Sequence, residues 1–141
     1  MSANGPSNYR THLTGAEEVP AVETRAQGQA IFKLSSDGTE LHYKLIVANI
    51  VDVTQAHIHL GAAGVNGPVV AFLYPDGPPP LLIEGRFQGV LAEGVITADN
   101  LLGPLAGEQL SALIDAIEAG ETYVNVHTVQ NPGGEIRGQI G

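Results

Sequence analysis

Three of the five histidines, His57, His59 and His127, occupy strand-like runs at positions set apart from the apolar side chains. From Thr54 to Leu60, alternation places Ala56, Ile58 and Leu60 on one face of an extended chain and both histidines on the other. From Thr122 to Thr128, Val124 and Val126 face one way while Tyr123, Asn125 and His127 face the other. This reading aims the imidazoles outward, on polar faces, and leaves them unburied. Imidazole is the commonest metal ligand, and a pair at i, i+2 on a strand is close enough to share one ion. Three neutral imidazoles suit Cu(II), or Zn(II) with an open fourth position, and this donor set gives copper the higher affinity. A mononuclear site of this kind requires the His127 strand to run beside the His57 strand. The fourth ligand would come from His42, His12, Glu17, Glu18 or water. The plainer alternative is an exposed or hydrogen-bonded histidine pair on an open sheet, with His127 tying the last hairpin to a loop.

The elements that must position these residues read as short strands. Tyr9 to Thr14 forms a first strand, followed by a loop carrying Glu17 and Glu18. Gly28 to Leu34 and Glu40 to Val47 alternate cleanly around the turn Ser35 to Gly38 and predict a hairpin. The His57 strand comes next, then a flexible glycine-rich turn from Gly61 to Pro68, and strands over Val69 to Tyr74 and Leu82 to Leu91. Gly85 and Gly89 mark bulge positions within the last of these. Leu110, Leu113, Ile114 and Ile117 follow the i, i+3, i+4, i+7 spacing of one short helix over 107–119, stopped by Gly120. The His127 strand then pairs with Glu135 to Ile140. In regular register, Glu135, Arg137 and Gln139 share the outer side with Tyr123, Asn125 and His127. About eight strands joined by glycine-rich turns predict an all-β Greek-key sandwich or barrel, superoxide dismutase-like or immunoglobulin-like.

Composition narrows the function classes. With 141 residues the chain suits one domain, and 43% hydrophobic against 15% charged residues, with 18 glycines, favours strands and turns over a helical bundle. A formal net charge of −9 opposes nucleic acid and anionic membranes as partners and favours a cation or a basic partner. The absence of cysteine removes thiolate metal sites and disulfides, so a metal would be held by nitrogen and oxygen. No run is long and apolar enough for membrane insertion. The polar lead of residues 1–8 has neither the basic nor the apolar region of a signal peptide, so an extracellular or periplasmic placement would mean a signal peptide removed ahead of Met1. No serine-nucleophile elbow, P-loop or dinucleotide fingerprint is present.

Several motifs taken together resemble a known family. Ala56 to His59 followed by Gly61 to Val70, then Tyr123 to Thr128, then Asn131 to Ile140, with Gly15 to Pro20 near the start, are similar to the CHRD domain, named after chordin, over residues 9–140. That resemblance implies a single extracytoplasmic domain. A second resemblance, to copper/zinc superoxide dismutases, rests on a His-x-His strand and a third histidine 68 residues later, with Arg137 beyond it. It implies copper at His57, His59 and His127, with Arg137 guiding a small anion. No histidine lies between residues 60 and 126, so the bridging ligand and zinc site of those enzymes have no counterpart. The expected functions are therefore metal binding with dismutase-like redox chemistry, metal storage or delivery, or an extracellular adhesion module. In the last case the exposed loops would bind a protein or glycan.

Overall fold

The computed structural model describes residues 7–141; of the polar lead of residues 1–8, residues 1–6 lie outside the described residues. Among the described residues seven strands are formed: β1 (Asn8–Thr14), β2 (Gln27–Leu34), β3 (Leu41–Leu60), β4 (Val69–Tyr74), β5 (Ile83–Ile96), β6 (Thr122–Thr128) and β7 (Ile136–Gln139). One α-helix, α1 (Leu110–Glu118), lies between β5 and β6. The pairings are antiparallel throughout. The order β2-β1-β7-β6-β3, with β2 returning to pair β3, closes on itself, and β4 and β5 pair with β3 as well. The result is the expected all-β barrel or sandwich with a single short helix.

β3 organises the molecule. It was expected as two strands, Glu40 to Val47 and Thr54 to Leu60, but it runs unbroken for 20 residues. Alternation fails between them because Asn49 and Asp52 both have a φ of 57°, a conformation that asparagine and aspartate tolerate better than most residues. β5 bridges the irregularity, pairing from Leu41↔Ile96 to Val53↔Ile83 with register shifts opposite the bends. Along the other edge of β3, β2 covers the first half and β6 the second. Bending there lets one strand serve two neighbours in succession. β5 reaches Ile96, five residues past the expected end, and Gly85 and Gly89 take positive φ within it, as bulge positions require.

The core is filled from the inward faces. Phe32 on β2, Leu41, Leu45 and Val47 on β3, Val124 and Val126 on β6, and Ile136 on β7 are all buried. α1 adds Leu110, Leu113, Ile114 and Ile117, the stripe its spacing predicts. Gly120 ends the helix at a φ of 76°, with Gly120 N–H donating to the Ile117 carbonyl and Glu121 N–H to that of Ala116. The chain then enters β6, whose seven residues are all buried. Lying between β3 and β7, β6 has no solvent-facing edge and no solvent-facing side.

Candidate metal centre

The register of β3 against β6 brings the three histidines together. His57 lies opposite Asn125, His59 opposite Tyr123 and Gln55 opposite His127. His127 is thus diagonal to His57, within reach of an aromatic side chain across an antiparallel pair. Register shifts between β3 and β4 at Ala56/His57 and Ile58/His59 place the extra residues, Leu73 and Val70, on β4, while β3 keeps regular register with β6 from Gln55 to Leu60. One ring nitrogen from each histidine lies within 4.8 Å of the others. The His57 Nδ1 to His127 Nε2 separation is 3.1 Å. Nitrogens bound to one ion at about 2.0–2.1 Å sit about 3.3 Å apart in a tetrahedron, so one edge of a coordination polyhedron is nearly formed.

The histidines are not outward-facing. His57, His59 and His127 are only 4%, 8% and 7% exposed. Alternation assigns the side of the strand correctly, but that side is roofed over. His59 packs face to face with Tyr123, ring centroids 4.8 Å apart, and His57 packs edge-on against Phe72 at 4.7 Å. Two loop carbonyls close the rest. His59 Nδ1–H donates to Gly67 O at 2.9 Å and His127 Nδ1–H to Pro132 O at 2.9 Å. A carbonyl only accepts, so in both rings the proton sits on Nδ1 and Nε2 is the acceptor nitrogen. His127 Nε2 takes a hydrogen bond from His57 Nδ1. His59 Nε2 is buried and unpartnered.

Burial also keeps the rings neutral. It is the largest influence on each, holding His57 down to about 3 with help from neighbouring His127 and His59. His59 and His127 are depressed for the same reason, against the opposing pull of their carbonyl partners. Neutral imidazole is the ligating form, so protons do not compete for these lone pairs near neutral pH.

Beside the histidines lies a second polar group. Asn125 sits between His59 and Glu18 and interacts electrostatically with both. Its Oδ1 is buried without a hydrogen-bond partner, as is Glu18 Oε2. Burial pushes the Glu18 carboxyl up to about 7, against the opposing effects of Arg137 and Asn125. Gly134, at a φ of 123°, makes room for this pair, since a Cβ there would come within 2.5 Å of both Asn125 Nδ2 and Glu18 Oε2. His59 Nε2, Asn125 Oδ1 and Glu18 Oε2 form a run of buried polar atoms outside hydrogen-bonding geometry, with Asn125 acting on both of its neighbours. Such groups are costly in a finished core and suit a site that receives a cation.

The other sequence candidates are dispersed. His12 and Glu17 are exposed, and His42 is exposed on the first half of β3, 3.1 Å from Glu40. Glu18 interacts with Asn125 and Arg137 and does not join the cluster within 4.8 Å. Arg137 lies opposite Asn125 in the expected register but is only 1% exposed. Its guanidinium rests 3.4 Å from the Tyr123 ring centre. It donates to Ala62 O, Val65 O, Asn66 Oδ1 and Gln139 Oε1 at 2.8–3.1 Å. Glu135 is buried too, with its carboxylate accepting from Thr24, Thr128, Gln130 and Asn131. No site role had been read for Tyr123, Asn125 or Gly67. An asparagine in mid-strand is disfavoured by β propensity and was the signal available.

A family model describes this arrangement of strands and motifs: the CHRD domain, matched over residues 9–140. The chain belongs to the CHRD domain family. No curated protein and no solved structure matches it. The likeness to copper/zinc superoxide dismutases therefore rests on histidine spacing alone. Within this CHRD domain, the matched span takes in every residue of the histidine cluster and the loops that roof it. No helix among the described residues is long and apolar enough to cross a membrane.

Proposed function

We propose that this CHRD domain binds a single transition-metal ion through His57, His59 and His127, with copper preferred over zinc. The observation that carries the reading is the buried, donorless Nε2 of His59 beside two other neutral imidazoles whose nitrogens lie within 4.8 Å. The donor set is all nitrogen and uncharged, with tautomers held by Gly67 O and Pro132 O. That combination favours copper over zinc by the general affinity order. Copper held there would supply one-electron redox chemistry of the dismutase kind. The protein's own part is to keep three neutral imidazoles together and dehydrated, with the His57–His127 hydrogen bond giving way to the ion. We place the domain outside the cytoplasm, in line with the CHRD resemblance. Arg137, with three of its four hydrogen bonds on one loop, fits the role of holding that loop better than the role of guiding an anion.

Calorimetric titration of the metal-free protein with Cu(II) and with Zn(II) tests the reading. One equivalent should bind, copper more tightly, and the His57→Ala/His127→Ala variant should bind neither. Absence of stoichiometric binding would overturn it and favour the adhesion reading. Tight copper binding without superoxide turnover would remove the dismutase part, and rapid loss of copper to a chelator would favour storage or delivery.

A further inference from the structure

Arg137 is a buried cation with no carboxylate in hydrogen-bond contact, a placement that costs stability unless the charge is needed there. Its contacts show where it acts. Three of its four hydrogen-bond acceptors, Ala62 O, Val65 O and Asn66 Oδ1, belong to the loop between β3 and β4. Asn66 in turn donates to Val19 O at 2.8 Å, which joins the loop to the segment carrying Glu18. The same loop ends at Gly67, whose carbonyl receives the His59 proton and whose N–H donates to Tyr123 Oη at 3.0 Å. Gly67 is fixed by close approach, since a Cβ there would collide with the Leu60 carbonyl. Strand order places β6 between β7 and β3, so Tyr123 is flanked by Arg137 on the β7 side and by His59 on the β3 side. The Tyr123 and His59 rings are within 4° of parallel.

We propose that Arg137 is a positioning residue for the metal centre. Resting on the reading above, it acts through the 61–67 loop and the Tyr123 ring to fix His59 in the tautomer and orientation that point Nε2 at the other two histidines. Two links converge on one imidazole. The loop link supplies the carbonyl that holds the proton on Nδ1, and the stacking link sets the plane of the ring. A cation over the outer face of Tyr123 also holds that ring in place through the cation–π attraction. A guanidinium fork reaches three acceptors of one loop at once, which an ammonium on a flexible stem does not.

The test reads His59 directly in the metal-free protein, by long-range 1H–15N correlation of the imidazoles, and only then measures zinc affinity. In the wild type, His59 is expected as a single Nδ1–H tautomer. In Arg137→Met it should become a mixture of tautomers, with His42 unchanged, and the zinc dissociation constant should rise about 10–100-fold. Should Arg137→Met fail to fold, Asn66→Ala and Tyr123→Phe decide the matter. Asn66 is exposed, and phenylalanine keeps the ring while removing its hold on Gly67. Each should give part of the tautomer mixing. A role confined to stability would lower the unfolding midpoint and leave the His59 tautomer alone. Folded variants with unchanged His59 tautomer and unchanged affinity would overturn the proposal. If the wild type bound no zinc while the variants still scrambled His59, the metal reading would fail and the positioning role would stand.

Discussion

The two halves of β3 carry the same residue type at equivalent positions and treat it in opposite ways. In the first half, Leu41, Tyr43, Leu45 and Val47 face the core while His42 stands in solvent beside Glu40. In the second half, Ala56 and Ile58 face the core, and the histidines between and beyond them are buried as well. Strand geometry is the same in both. The difference is what lies over the second face: nothing closes over His42, whereas Gly67, Tyr123, Phe72 and Pro132 close over His57, His59 and His127. Alternation assigns a side chain to a face, and the neighbouring loops decide whether that face sees water. Chemistry is built where both are arranged together.

The largest expected effect that sharpens this contrast is on metal binding. His57→Ala/His127→Ala should abolish stoichiometric copper binding in a calorimeter, while His42→Ala should leave both affinity and stoichiometry as in the wild type.

Next in size is the pH dependence of the metal-free fold, measured as urea unfolding at pH 7 and pH 5. The three clustered histidines have folded values below the usual 6.5, that of His57 being about 3. Their contribution is present above pH 6.5 and is lost as pH falls toward 3, because the unfolded chain takes up protons that the folded one refuses. Glu18 runs the other way. Its value is raised to about 7, so its contribution is present below pH 4.5 and lost as pH rises through 7. Three groups oppose one between pH 4.5 and 6.5, and the net result should be a loss on the order of 2–4 kcal/mol from pH 7 to pH 5. A flat profile would mean that the histidines are solvated.

Two buried glutamates extend the same comparison. Burial alone would raise Glu135, but its four hydrogen-bond donors more than offset that and carry it below the usual value. Glu135→Gln would turn an amide NH2 toward those donors and should cost about 1–3 kcal/mol at pH 7. Glu18→Gln should instead raise the stability of the metal-free protein by about 1 kcal/mol or more at pH 8 and do almost nothing at pH 5, where Glu18 is already protonated in the fold. The smallest effect belongs to His42→Ala, which should change stability by no more than about 0.5 kcal/mol, as expected for an exposed side chain with one surface hydrogen bond to Glu40.

Much of this was legible in the residues. Alternation located the β2–β3 hairpin and the β6–β7 register, and spacing located α1, whose apolar stripe and glycine stop are local properties. The pairing of His127 with His57 and His59 was available as a condition on strand order, which the β3–β6 register meets. What was not legible depends on contacts distant in sequence. β3 continues past Asn49 and Asp52 because β5 pairs across the bend, a partner some 40 residues away. The 61–67 loop reads as a flexible turn from its glycines, yet Arg137, more than 70 residues later, straps it over His59. Gly67 on that loop, Pro132 on another and Phe72 on β4 cover the histidines, and no local pattern encodes that closure.

The most direct measurement is a zinc titration of the metal-free protein followed by imidazole 15N resonances, because five histidines report separately. The account predicts that His57, His59 and His127 shift together and saturate at one equivalent while His12 and His42 do not move. Shifts confined to His12 or His42, or no saturable shift at the three buried rings, would contradict it.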